Sequence, residues 1–502
     1  MTPRKNIVLL IADDLGKYVG AYGCRSVKTP AIDSLAEDGV RFDMAFASTA
    51  SCSGSRSTIY TGLHTHENGQ YGLNLFRAHF QTFDHVDSAP MLFNEAGYLT
   101  GVLGKVHVGP DAVYPWKWRR ESESRDVAWV ADQAGEFFQR AQEEGSPFFL
   151  TIGYVDPHRD VRTRGGFGNQ AQYDLPVKSL RYKPDEVEVP PWLPDLPETR
   201  RELAEYYEAI NRTDQGVGFV LDDLARRGLM DQTLIIFTSD NGPPFMNAKT
   251  TLYDAGTCLP FVVRVPGGQR GVVNPNMISH IDILPTLLEY AGIASRPIRS
   301  EYLQVSSGIR SESVPSPPRR GRSFLSILQR TDIVPEKDWQ HHVFGSHTFH
   351  ELQNYWPTRV CRTRRYKYHR NIAWKLDFPF ATDLYASYSF EAMRRAPGPL
   401  MIGNRSFKSY LQRPAEELFD LEEDPDETQN LAGDAAHADI LKELRERVER
   451  WQLETRDLWL FRDGHSVRMM QAHAAEGLLM ADTFDMQPQI EGQMKPLEEL
   501  FA

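Results

Sequence analysis

Cysteine is scarce in this chain. Its 502 residues hold four, at positions 24, 52, 258 and 361, too few and too scattered for a disulfide framework. Long apolar runs are missing as well. None approaches the ~20 residues that cross a bilayer, so no membrane-spanning helix is expected and a membrane is not an expected partner. Positive charge is in deficit: 56 Lys and Arg stand against 68 Asp and Glu, a net charge of −12. That balance argues against nucleic acid or an anionic lipid surface as main partner. It leaves room for a small anionic substrate, because a site can be locally positive inside an acidic protein. A cleavable leader is not legible either. Arg4 and Lys5 precede the apolar run Ile7 to Ala12, but the run is short and ends in Asp13-Asp14 with no small-residue cleavage site. A buried strand is expected there. A cytoplasmic chain fits, and so does one whose signal is missing from this version.

What is present is an ordinary globular composition, 41% hydrophobic and 25% charged, on a chain long enough for two cores. Residues 6–12 read as a strand covered on both faces. Helices are expected over 31–39, 90–97, 127–144, 201–227 and 281–291, and strands over 99–103, 147–155, 234–238 and 260–265. This alternation predicts an α/β fold with a large, mostly parallel sheet flanked by helices. Residues 160–200 read as a long surface excursion. Residues 300–322, rich in Ser, Pro and Arg, read as a flexible insertion whose basic cluster is solvated. From about residue 341 the pattern shifts to a smaller α+β domain, with strands over 359–369 and 416–421 and an amphipathic helix over 435–455. The expected division is 1–340, 341–460 and a loosely attached tail, 461–502.

The chain is organised around Ser51-Cys52-Ser53-Gly54-Ser55-Arg56-Ser57-Thr58. Small hydroxyl residues suit a helix N-terminus, where free N–H groups and Arg56 are expected to lower the Cys52 pKa. Locally, a structural cysteine at the start of a helix fits equally well. Two further clusters follow expected strands: Asp13-Asp14, and Asp240-Asn241. They offer only oxygen donors, which suit Ca²⁺ rather than Zn²⁺. Lys105 and His107, two apart, would share a face if a strand continued through them. His158 follows a strand behind Asp156-Pro157 and could serve as a general acid.

The Cys52 stretch resembles the sulfatase signature, Cys-x-Pro-Ser-Arg followed by a Thr-Gly turn, here Thr61-Gly62. The likeness extends through Ala12-Asp13-Asp14, Asn68-Gly69-Gln70-Tyr71-Gly72, Gly104-Lys105-Val106-His107, Asp156-Pro157-His158-Arg159, Asp214-Gln215-Gly216, Ser239-Asp240-Asn241-Gly242 and Asp424-Pro425-Asp426-Glu427. Within the family it is most similar to the N-sulfoglucosamine sulfohydrolase (sulfamidase) branch, from Asn6 to about Trp459. One position departs: Gly54 stands where the signature has proline.

The resemblance implies an alkaline-phosphatase-like sulfatase fold with a smaller C-terminal α+β domain. It implies that Cys52 is oxidised to formylglycine by a formylglycine-generating enzyme or its equivalent, and that the hydrate is the nucleophile. It assigns Asp13, Asp14, Asp240 and Asn241, with the oxidised Cys52, to one Ca²⁺. It makes Arg56, Lys105, His107, His158 and Lys249 catalytic, and places His347, His350 and Glu351 at a sulfated sugar. The family's relatives are lysosomal or secreted. The implied reaction is removal of the N-sulfate of N-sulfoglucosamine from heparan-type sugars. Alternatives on the same fold are an O-sulfatase, a phosphoester or phosphonate hydrolase, or an unconverted pseudo-enzyme that binds sulfated sugars; Gly54 favours the last. A homodimer is left open.

Overall fold

The computed structural model of the chain describes residues 5–171, 173, 176–294, 316–461, 466–481 and 494–496. At its centre lies the strand Asn6–Ala12, buried throughout. It pairs in parallel with Phe148–Gly153 on one side and Thr233–Ser239 on the other. Its alternate residues serve two cores, as a strand's period of two requires. Val8, Leu10 and Ala12 pack with Ile32, Val130, Phe137, Leu203 and Ile210, which come from helices Pro30–Glu37, Val127–Glu144 and Pro197–Arg226. Ile7, Leu9 and Ile11 pack with Ile59, Phe93 and Leu287, from helices Cys52–Thr61, Ala89–Glu95 and Ile283–Ala291. A strand covered on both faces must be apolar at every position, which is why this run has no polar interruption.

The sheet has nine strands. From Asn6–Ala12 it continues through Phe148–Gly153 and Leu99–Gly104 to Trp118–Glu121 at one edge. On the other side it continues through Thr233–Ser239 and Phe261–Arg264 to Val40–Phe46. Most pairings are parallel; Phe261–Arg264 runs antiparallel to both neighbours. The expected α/β architecture is present. Two members, Val40–Phe46 and Val272–Ser279, escape a search for apolar runs because Arg41, Asp43, Asn274 and Asn276 interrupt them. The long helix begins at Pro197, ahead of the expected 201, with proline in its first turn, where no N–H is needed.

A smaller antiparallel sheet follows, ordered His342–Phe349, Tyr355–Thr363, Tyr366–Asn371 and Glu416–Asp420. The single strand expected over 359–369 is therefore a hairpin, turned at Arg364-Arg365. Helix Ala438–Glu454 covers this sheet, its Leu441, Leu444, Val448 and Trp451 packing on Cys361, Tyr368 and Leu418. The two sheets are tied together. Ser346 N–H donates to the Ser48 carbonyl at 2.8 Å, and Lys367 Nζ lies 2.8 Å from the Asp254 carboxylate.

Residues 300–315 lie outside the described residues. Of the basic cluster just after them, Arg320 and Arg322 are exposed, as expected, although Arg320 Nε lies 3.3 Å from Glu67 and its Nη2 donates to the Glu454 carbonyl at 2.5 Å. Arg319 is drawn in, its side chain 8% exposed and 3.9 Å from Asp87. The described start of the tail is packed: Val467, in the helix Val467–His473, clusters with Leu460 and Phe461. Among the described residues no helix is long and apolar enough to cross a membrane.

Candidate active site

Strand register assembles the site. Ala12 lies beside Ser239 and Ile11 beside Gly153, so Asp13-Asp14, Asp240-Asn241 and the segment leading to His158 leave the sheet at one edge. Gly104 lies beside Gly153, which brings Lys105 to the same place. Ligand sites of open α/β sheets lie at such carboxyl ends of strands. Asp14 adopts φ 63°, a left-handed conformation that aspartate tolerates better than most residues. Its N–H donates to Asp240 Oδ1 at 3.0 Å.

Helix Cys52–Thr61 enters this edge with all ten residues buried. Cys52 Sγ stands 4.0 Å from Asp14 Oδ1. Ser51 occupies the N-cap position, but its hydroxyl caps nothing and instead meets His350 Nδ1 at 3.0 Å. One turn on, Arg56 is wholly buried, donating to Asp240 Oδ2 at 2.9 Å and to the Lys105 carbonyl at 3.0 Å. Gly153 makes that reach possible: a Cβ there would stand 2.7 Å from Arg56 Nη1.

The charges pair one to one. Lys105 Nζ bonds Asp13 Oδ2, Arg56 bonds Asp240, and Lys249 Nζ bonds Asp14 Oδ2 at 2.9 Å. Burial opposes the charge on Lys249, yet Asp14 and Asp383 outweigh it and hold the ammonium well above its ordinary pKa. Burial followed by the neighbouring Asp13 pushes the Asp240 carboxyl up. Oxygens of Asp13, Asp14 and Asp240 lie within 4.8 Å of one another, and Asp13 Oδ1 and Asn241 Oδ1 are buried without a protein hydrogen-bond partner. An all-oxygen set with orphaned acceptors and crowded negative charge fits a calcium-sized cation.

Cys52 does not behave as the local sequence suggests. Burial and the Asp13 carboxylate push its thiol pKa well above the ordinary value. Arg56 spends its guanidinium on Asp240 and the Lys105 carbonyl, so the helix terminus and one arginine do not prevail. Lys105 and His107 are also placed otherwise than expected. The strand ends at Gly104, and His107 sits in a loop at φ 57°. Burial and Lys105 push the His107 ring down in pKa, and both its nitrogens are buried without partners.

His158 Nε2 lies 3.1 Å from Lys249 Nζ and its Nδ1 2.6 Å from the Arg159 carbonyl oxygen. An ammonium can only donate and a carbonyl can only accept. The proton of neutral His158 therefore sits on Nδ1, and Nε2 accepts from Lys249. Burial and then Lys249 lower its pKa, in keeping with that tautomer.

Comparisons with known proteins give the family. The sulfatase family model matches residues 5–293. The chain is 36% identical to human N-sulphoglucosamine sulphohydrolase over 476 residues, 91% of each protein. The chain belongs to the sulfatase family. This sulfatase also shares its fold with solved structures. One is the phosphonate monoester hydrolase of Agrobacterium radiobacter (TM-score 0.64, 20% identity, 90% of this chain and 96% of that one). Another is a protein in complex with its substrate D-glucosamine-2-N,6-O-disulfate (TM-score 0.60, 20% identity, 90% and 98%).

Of the three residues that sequence reasoning placed at the sugar, His350 joins this cluster through Ser51. His347 lies a layer behind, its Nδ1 3.2 Å from Thr49 Oγ1, and burial takes its pKa down to about 3. The Glu351 carboxylate accepts from Gln353 instead. Asp383 was not foreseen. It reaches in from the first turn of the short helix Thr382–Tyr385 and places Oδ2 2.8 Å from Lys249 Nζ. No local pattern marks it, since its partner is 134 residues away. Other sulfatase motifs in the sequence prove structural. Asp214 accepts from the N–H groups of Ala31 and Ile32 at the start of a helix. Asp156 is clamped by Arg125 and Arg212, and Arg159 by Glu202.

Proposed function

We propose that this sulfatase removes the N-sulfate of a glucosamine-type sugar, with Cys52 converted to formylglycine and a Ca²⁺ held by Asp13, Asp14, Asp240 and Asn241. One observation carries the N-sulfate assignment: the likeness to the human sulphohydrolase runs through both sheets, whereas the solved structures support the fold. When present, the two groups supply a hydrated aldehyde as oxygen nucleophile and a divalent charge beside the sulfuryl oxygens.

The chain's own residues do the rest. Arg56 and Lys105, on the Cys52 side, balance the negative charge of nucleophile and sulfuryl group in a buried setting where such charges count for more than in water. Arg56 has no freedom to turn away, being bonded to both Asp240 and Lys105. His107 has two unpartnered ring nitrogens, suited to hydrogen-bonding an oxygen at position 52. On the leaving-group side, Lys249, its proton held by Asp14 and Asp383, donates to His158 Nε2 and orients it, and His158 is the group placed to take up a proton and pass it to the leaving nitrogen. A sulfamate needs that supply because an amine leaves poorly unless its nitrogen is protonated.

The test has two parts. Mass spectrometry of the tryptic peptide 42–56, from protein made in its own host, should show an aldehyde at position 52 that resists alkylation. The converted protein should then release sulfate from N-sulfoglucosamine faster than from an aryl sulfate or a phosphodiester. Alkylatable cysteine throughout, or faster turnover of the aryl sulfate, refutes the reading.

A further inference from the structure

Asp383 is a charge that the sulfatase chemistry above uses only to hold Lys249. Lys249 is a single positive charge between two carboxylates, Asp14 Oδ2 at 2.9 Å and Asp383 Oδ2 at 2.8 Å. Asp14 faces the cation cluster, whereas Asp383 lies on the other side of Lys249, close to His158. For an enzyme that must attract an anionic sulfate, a carboxylate on the substrate side is a cost unless it meets positive charge at another stage. Its placement says where. The side chains of Asp13, Asp14, Asp240, Arg56 and Lys249 are at most 1% exposed, whereas those of Lys105, His158 and Asp383 are 15%, 19% and 16% exposed. Those three line the open side. Lys105 lies toward Asp13, while His158 and Asp383 meet at Lys249, the leaving-group side. Asp383 is also held in place, its Oδ1 accepting the Leu384 N–H at 3.0 Å.

The two possible reactions differ in charge on that side. For a sulfamate, R–NH–SO₃⁻ + H₂O gives R–NH₃⁺ + SO₄²⁻. The N–S bond breaks, its electron pair stays on nitrogen, nitrogen gains two protons, and the oxygen of water ends on sulfur. For an ester, R–O–SO₃⁻ + H₂O gives R–OH + SO₄²⁻ + H⁺. There the O–S pair stays on oxygen, which gains one proton and ends neutral. Only the first leaving group becomes a cation. A fixed carboxylate beside it stabilises the positive charge that nitrogen takes on with each added proton and does nothing comparable for an alcohol that ends neutral.

Resting on the sulfamidase reading, we propose that Asp383 is a specificity-determining residue, which selects N–S over O–S cleavage by facing the leaving nitrogen as it becomes an ammonium.

The experiment compares the wild type with Asp383→Asn, both confirmed by mass to carry the aldehyde at position 52 and assayed with calcium. The variant should lose about tenfold or more in kcat/KM on N-sulfoglucosamine, the scale of a lost hydrogen bond to a charged group. On an aryl sulfate, where only the support Asp383 gives Lys249 is lost, the fall should be at least about threefold smaller. An equal fall on both substrates overturns the proposal, since Asp383 would then only position Lys249. A second measurement needs no variant and no turnover. At a pH where its amine is protonated, glucosamine should bind the wild type about tenfold more tightly than N-acetylglucosamine, whose nitrogen is uncharged. Equal binding of the two also overturns the proposal. A wild type that cleaves the aryl sulfate but not the sulfamate refutes the sulfamidase reading itself, and the proposal falls with it.

Discussion

Glu67 offers a quantitative test of how the two sheets are joined. It lies in the short helix Thr65–Asn68, buried, with Oε2 accepting the His64 N–H at 3.3 Å and Oε1 facing Arg320 Nε at 3.3 Å. Arg320 in turn donates to Glu454 at the end of the helix that covers the smaller sheet. Burial raises the Glu67 carboxyl from an ordinary 4.5 to about 7, with Arg320 opposing. The folded state therefore holds a proton that the unfolded chain releases. For a raised carboxyl, the stabilising contribution is fully present below the unfolded pKa and is lost as pH rises through the folded one. Linkage with these two values gives a loss of about 2.5 kcal/mol between pH 5 and pH 8. Glu67→Gln keeps the shape, cannot ionise, and should show none of this loss. Urea unfolding of both proteins at the two pH values, taken as a difference of differences, isolates Glu67 from the other buried carboxyls. For an m of about 5 kcal/mol/M, the wild-type midpoint should fall by roughly 0.5 M relative to the variant. A difference that does not change with pH, or that changes in the other direction, refutes the placement of Glu67 in a site too poorly solvated for its charge.

Three further outcomes follow from the structure. A Cβ at Gly54 would stand 2.9 Å from Thr49 Cγ2 and 3.3 Å from Thr65 Cγ2; Gly54→Ala should therefore cost about 1–2 kcal/mol despite its better helix propensity, and adding Thr49→Ser should recover most of that in thermal melts. Arg359 and Asp457 form a fully buried pair with bonds of 2.5 and 2.9 Å, so Asp457→Asn should destabilise by about 3–5 kcal/mol in chemical unfolding. Chelation should lower the melting temperature by about 2–5 °C, with calcium restoring it, because the clustered carboxylates bind a cation only when folded; an unchanged melt contradicts the fit of Asp13, Asp14 and Asp240 to a metal.

Much of this protein is settled by its sequence. The apolar run from Ile7 to Ala12 has no stable home except between two layers of helices, and Asp13-Asp14 must follow at its end. The same logic holds for Thr233–Ser239 and Asp240-Asn241. Local patterns carry that information because each strand or helix is set by residues a few positions apart, and the Cys52 stretch could be singled out for the same reason. Only the tertiary structure brought Asp383 to Lys249 and fixed the tautomer of His158. It also raised the Cys52 thiol pKa, through burial and the Asp13 carboxylate, where the local sequence suggested the opposite. Each of these depends on at least one group more than thirty positions away in sequence and on how far burial removes them from water. Neither is written in any window of the chain, because a charge's energy depends on every group that packs around it.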